Sequence, residues 1–315
     1  MKRRSILNAL KQTKGSTSLV FVCSVVLIVV LSAIVTDIGY VAYDRYRLSK
    51  NVDSIVMSGA QTLADSREKC IESIKRMVSG KIGSIKDMDI SISDDNREIT
   101  LYVKKDIGYI FLRYVGFKDK QIESRVTAKL SNVTSFKGIR PFAVEKKELP
   151  FGEQCKLINS SDTINKDDDD VQVIEIIPID TQKESFRTSF IYGYRKKVHL
   201  GMSLYTVSGS LLDIDEDSVD ELIDKCRHKP LCSYEKYTQG CPRIIILPVV
   251  EKEDSSGDGA LKVVGFAAFF VERGNIIRGV KDTLTLEGRF IRYTVSASTS
   301  DGMPDFGLMG VKLVH

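Results

Sequence analysis

The residues of this chain best suited to chemistry are Cys226, His228, Cys232 and Cys241, spaced C-x-H-x3-C-x8-C. Thiolates and an imidazole are zinc ligands, but this spacing matches no standard zinc pattern, so the sequence expectation is that no metal is bound. The same cysteines suit a disulfide. Lys229-Pro230 and Gly240-Cys241-Pro242 mark turns that bring the two ends of the segment together. The favoured pair is Cys226 with Cys241, closing about 15 residues, which the chain-entropy model values at about 3 kcal/mol. Cys232 and Cys155 are the remaining disulfide candidates, and the bridge would give a partner a rigid loop surface. Cys23 and Cys70 complete the six cysteines.

The other motifs are weaker. His199 and His315 are the remaining histidines, and no H-E-x-x-H, G-x-S-x-G or Walker-type glycine loop occurs. Ser66-Arg-Glu-Lys69 and Ser233-Tyr-Glu-Lys236 match S-x-x-K without a K-T-G or S-D-N partner. Asp213-Ile-Asp-Glu-Asp217 has the alternate carboxylates of a calcium loop but Ser218 and Asp224 where glycine and glutamate belong. It reads as the acidic start of a helix over Ser218 to Cys226, capped by Asp217. The run Asp167 to Asp170 reads as a solvated loop. The expectation is therefore a non-enzymatic chain with no catalytic residues, no metal and no cofactor.

Charge and hydropathy set the frame for these residues. The formal charge is +4, but Lys2, Arg3, Arg4, Lys11 and Lys14 lie in a tail without acids, and the rest carries 41 basic against 42 acidic residues. A balanced body argues against nucleic acid as a partner. Gly15 to Thr36 is a run of 22 uncharged, mostly apolar residues. That suffices to cross about 30 Å of hydrocarbon as a helix and exceeds a signal-peptide core of about 7 to 15 residues. Basic residues before the span and mixed charges after it (Asp37, Asp44, Arg45, Arg47) put the N-terminus inside and everything from Asp37 onward outside. That compartment permits disulfides. Tyr40, Tyr43 and Tyr46 follow the span at interfacial depth.

Beyond the span, Val41, Leu48, Val52, Ile55, Val56, Gly59, Ala60, Leu63, Ile71, Ile74 and Val78 recur at helical spacing, and no proline precedes Pro141. The expectation is one unbroken helix from about residue 16 to 79, on the order of 95 Å long. Its small-residue face at Ser54, Ser58, Gly59 and Ala60 suits close approach of another helix. The period then becomes 2, with a hairpin over Asp89–Ser93 and Glu98–Val103 around Asp94-Asp95-Asn96. A short helix at Tyr109 to Val115 and an alternating run Gln121 to Leu130 complete a small unit. Strands are expected at 171–177, 189–198, 243–250, 261–271, 290–296 and 307–314.

The expected class is α+β, with a long transmembrane and stalk helix followed by mostly antiparallel β extracytoplasmic domains. Its divisions are a cytoplasmic tail (1–15), the span (16–36), the stalk (37–80), a small α+β unit (81–138) and a β-rich domain (139–315).

The first 65 residues resemble the TadE/TadG-like proteins of Tad (Flp) pilus assembly. The residues that carry this are Lys14-Gly15-Ser16 before the span, Thr36-Asp37-Ile38-Gly39-Tyr40 at its outer end, then Arg47-Leu48, Val52-Asp53 and Gly59-Ala60. Val126-Thr-Ala-Lys-Leu130 is similar to the segment after the family's membrane-proximal hairpin. Gly240-Cys-Pro-Arg243, Val264 to Phe270 and Gly288-Arg-Phe-Ile291 are similar to stretches of larger Gram-positive members. The resemblance implies a pilin-like subunit that acts without catalysis. Its partners would be the membrane and other pilus or pilus-assembly subunits, met through helix packing, with no small-molecule substrate. Processed pilins carry Glu at the fifth position after the cleaved glycine, where this chain has Val20, so an uncleaved accessory subunit in a Gram-positive cell membrane is implied. The alternative is an anchored extracytoplasmic binding module or cell-wall enzyme.

Overall fold

The computed structural model describes residues 16–64, 66–159, 170–178, 185–206, 214–252, 260–277 and 283–314. The basic tail, Asp213 and Asp167 to Asp169 lie outside them.

Helix α1 (Ser16–Leu63) contains the apolar run and continues well past it. Its 48 residues span about 72 Å at 1.5 Å per residue. An 18-residue apolar stretch of α1, long enough to cross a membrane, is entirely unburied within the protein. The expected single stalk does not form. The chain breaks after Leu63 and a second helix, α2 (Arg67–Lys81), folds back along α1. Ser66 starts it, its Oγ accepting from the Lys69 N–H. The first S-x-x-K match is thus a helix cap, and α2 begins without a glycine or proline before it.

The fold-back explains the small-residue face. A Cβ on Gly59 would lie 2.5 Å from Ile74 Cδ1, and the Cys70 thiol donates to the Gly59 carbonyl at 3.1 Å. Ala60 is fully buried beside them. The close approach of another helix expected at this face is made at Gly59 and Ala60 by this chain's own α2. Ser54 is exposed and Ser58 half-buried at the margin, with Lys81 Nζ donating to Ser54 Oγ at 2.9 Å. Burial in this interface pushes the Cys70 thiol up to about 11, so it stays neutral.

The expected hairpin is present as β1 (Asp87–Ile92) and β2 (Glu98–Ile107). Asn96 turns it with φ of +54°, and Ser93 Oγ accepts from the Arg97 and Glu98 amides. A one-turn 3-10 helix (Leu112–Val115) leads to β3 (Lys120–Lys137). Strand β3 is 18 residues long and ends at Lys137, just before the expected division between residues 138 and 139, but its pairing partners lie on both sides of that division.

The domain division is therefore not sequential. The C-terminal strand β14 (Leu308–Val314), expected in the second unit, pairs antiparallel with β3 in the first sheet. That sheet runs β1-β2-β3-β14-β12, where β12 is Tyr293–Val295; β7 (Lys197–His199) and β13 (Ser298–Ser300) also add to β3. The α1–α2 hairpin packs on it through Val52, Ile55, Ile74, Ile99, Leu101, Val126 and Leu130.

The second sheet has the order β11-β5-β6-β4-β9-β10-β8. Its strands are β4 (Phe142–Glu145), β5 (Cys155–Ile158), β6 (Asp170–Pro178), β8 (Ser203–Thr206), β9 (Ile244–Lys252), β10 (Leu261–Ile277) and β11 (Thr283–Ile291). Most pairings are antiparallel, while β4–β9, β5–β6 and β12–β14 are parallel. Strand β10 is buried on both faces. Ala267, Phe269 and Val271 meet one core with helices α3 (Phe186–Tyr192) and α4 (Glu216–Asp224), and Phe266, Ala268 and Phe270 meet the other. Helix α3 occupies the start of the expected 189–198 strand, where Ser185 Oγ caps it by accepting from the Thr188 amide. Helix α4 is capped by Asp215, not Asp217, in a reciprocal box with Ser218.

Candidate functional site

Two places collect residues that packing alone does not account for. The first lies where α1 leaves its apolar run. Asp37 is fully buried against the loop between β2 and β3. Its carboxylate accepts from the backbone amides of Ile110 (2.7 Å), Phe111 (3.0 and 3.2 Å) and Leu112 (2.6 Å). These are the unpaired amides at the start of the 3-10 turn, a ready seat for an anion. Burial pushes the Asp37 pKa up, but the amides of Leu112, Ile110 and Phe111, with the Arg113 guanidinium, outweigh it and hold the carboxyl below its usual value. The D-x-G at residues 37–39 thus clasps a loop more than 70 positions away.

That clasp fixes an apolar tip beside the helix. Ile110, Phe111, Tyr114, Val115 and Phe117 are all exposed, Tyr114 at 76% and Val115 at 71%. The Arg113 guanidinium lies over the Tyr114 ring at 4.9 Å. Tyr43 and Tyr46 are exposed on α1 just past Asp37. Apolar and aromatic side chains with an attendant arginine, held level with the end of an apolar helix, suit the boundary between hydrocarbon and water.

The second place is the segment between α4 and β9. Cys226, Cys232 and Cys241 are buried and His228 half-buried, and their ligand atoms all lie within 4.8 Å of one another. His228 Nδ1 is 3.5 Å from Cys226 Sγ and 3.4 Å from Cys232 Sγ. Cys226 and Cys241 Sγ are 3.6 Å apart. The expected Cys226–Cys241 disulfide is not formed, since an S–S bond is about 2.05 Å; all six cysteines carry free thiols. Cys155, the outlying candidate, is on β5 in the other core.

Backbone amides point at the sulfurs. Cys226 receives the N–H of His228 and of Cys232, Cys241 that of Arg243, and Cys232 that of Thr238 at 3.4 Å. Arg243 locks the segment to β10: its guanidinium donates to the carbonyls of Val271 (2.9 Å), Glu272 (2.8 Å) and Cys232 (2.7 Å) and lies 4.9 Å over the Phe270 ring. The Gly240 amide donates to the Tyr293 hydroxyl at 2.7 Å, and Gln239 Nε2 donates to the Thr294 carbonyl. The cysteine segment therefore touches β10 of the second sheet and β12 of the first.

Other sequence candidates have structural duties. Ser233 and Lys236 exchange backbone hydrogen bonds in a tight turn within the cysteine segment. Asp215 is engaged in capping α4 and faces Arg187 at 3.9 Å.

No family model, no curated protein and no solved structure matches this chain.

Proposed function

We propose that the chain is a single-pass membrane protein, N-terminus inside, whose outer body is a structural subunit in the assembly of a Tad (Flp)-like pilus of a Gram-positive cell. The observation that carries this reading is the Asp37 clasp, which ties the outer end of an unburied apolar helix to an apolar loop of the folded body. Placed in a bilayer, the 22 residues before Asp37 fill the hydrocarbon, and Ile110 to Phe117 rest at its outer surface. The body is then held at a fixed height and tilt instead of swinging on a tether. A fixed orientation is useful to a protein that must present a surface to other subunits in the same membrane.

The exposed apolar face of α1 also offers those subunits a helix to pack against, since lipid and protein compete for such faces through packing alone. The D-x-G at the span's end and the small residues beyond it support placement with TadE/TadG-like proteins.

Deleting the gene in the native host and counting surface fibres tests the reading. Fibre loss is expected, restored by the full chain, with a photo-cross-linker in place of Val25 or Tyr43 capturing other pilus-assembly subunits. Unchanged fibres together with cross-links to lipid alone would contradict it.

A further inference from the structure

The geometry points to a closed structural zinc site formed by Cys226 Sγ, His228 Nδ1, Cys232 Sγ and Cys241 Sγ. Zinc bonds sulfur at about 2.3 Å and imidazole nitrogen at about 2.0 to 2.1 Å in a tetrahedron. The edges of that tetrahedron come to about 3.8 Å between sulfurs and about 3.5 Å between sulfur and nitrogen. Three of the six edges here are 3.6 Å for Cys226–Cys241 and 3.5 and 3.4 Å for His228 Nδ1 to Cys226 and Cys232, and the other three are no longer than 4.8 Å. A disulfide would draw two sulfurs together and leave the third and the imidazole with no reason to converge. All four ligand atoms gather around one point instead.

The surroundings agree with a metal. Four backbone amides, those of His228, Cys232, Thr238 and Arg243, are aimed at the three sulfurs. Such donors offset the negative charge of metal-bound thiolate and orient the ligands. Residues 225–243 contain no helix or strand, and most of 227–240 is exposed apart from Cys232. A stretch of this kind has little apolar area with which to fold, so a metal is an effective source of its order. With four protein ligands no position remains for substrate, which makes the site structural and not catalytic. Because the segment touches both β10 and β12, zinc rivets the two sheets together at their junction.

On binding, the hydrated ion sheds its water ligands, three thiols release their protons to solvent, three Zn–S bonds and one Zn–N bond form, and nothing is oxidised or reduced. The full chain, purified in detergent without chelator or reductant, is expected to carry one zinc per chain by elemental analysis and native mass spectrometry. Three thiols should resist alkylation until a strong chelator is added. Cobalt exchanged into the site should give thiolate charge-transfer bands and the visible bands of a tetrahedral ion. Cys232→Ser should lose at least about tenfold in zinc affinity, whereas Cys155→Ser should keep one zinc per chain. His228→Cys, which retains four ligands, should also keep it and so separates ligand loss from misfolding. A metal-free chain containing a Cys226–Cys241 disulfide would overturn the assignment, as would an unchanged zinc affinity in Cys232→Ser.

Discussion

Gly59→Leu is expected to destabilise the isolated chain by about 1 to 3 kcal/mol, toward the upper end, because four heavy atoms must enter a closed helix–helix contact. The first of them would already sit 2.5 Å from Ile74 Cδ1 and 2.7 Å from Ile74 Cγ1. Ile74 is fully buried in the core shared by the two helices and the first sheet, so its side chain can give way only by displacing packed neighbours. Against a typical total stability of about 5 to 15 kcal/mol this is a large fraction. Thermal unfolding in detergent, with no partner present, reads it directly. Ser54→Leu, on the exposed margin of the same face, serves as the control and should change stability by no more than about 0.5 kcal/mol. An unchanged melting temperature for Gly59→Leu alongside weakened subunit association would return this face to a partner helix.

Asp37→Ala is expected to release the loop over residues 109–117 while leaving the sheet intact. The substitution removes the acceptor shared by the amides of Ile110, Phe111 and Leu112. Their hydrogen exchange should accelerate by on the order of tenfold or more, since a surface loop without its anchor opens locally. Exchange in the paired stretches of β2 and β3 should not change, because their ladder from Glu98–Lys129 to Ile107–Lys120 is independent of Asp37. Acid should act in the same direction as the mutation. The folded Asp37 carboxyl titrates below its usual value of 3.8, so its contribution is present above that value and lost as pH falls through the lower folded one. Unaltered protection of the three amides in Asp37→Ala would show that the loop is held by something else.

What was legible in the sequence was local. The apolar run, the change of period beyond Val78 and the Asp94-Asp95-Asn96 turn are all signals between near neighbours in the chain, and the apolar part of α1, β1 and β2 appear where those signals put them. The α1–α2 break was not legible because apolar residues keep their helical spacing across it. Only Ser66 marks it, and Ser66 also fits an unrelated motif. Asp37 was readable as the end of a span but not as a clasp, since its partners are backbone amides over 70 residues away, whose identity side chains do not encode. The return of β14 to β3 is long-range in the same sense. The cysteine segment was an intermediate case: sequence gave the four ligand types, whereas the choice between a bridge and a metal depends on whether two sulfurs or all four ligand atoms converge. That is a three-dimensional property, and the turns at Pro230 and Gly240 are compatible with both.

Whether α1 anchors the body on the outer side of a membrane is tested most directly by protease added to intact cells stripped of wall. The anchored arrangement predicts digestion of nearly all the chain from Asp37 onward, leaving a membrane-held fragment of about residues 1 to 36. A body that stays intact until the membrane is dissolved would contradict it.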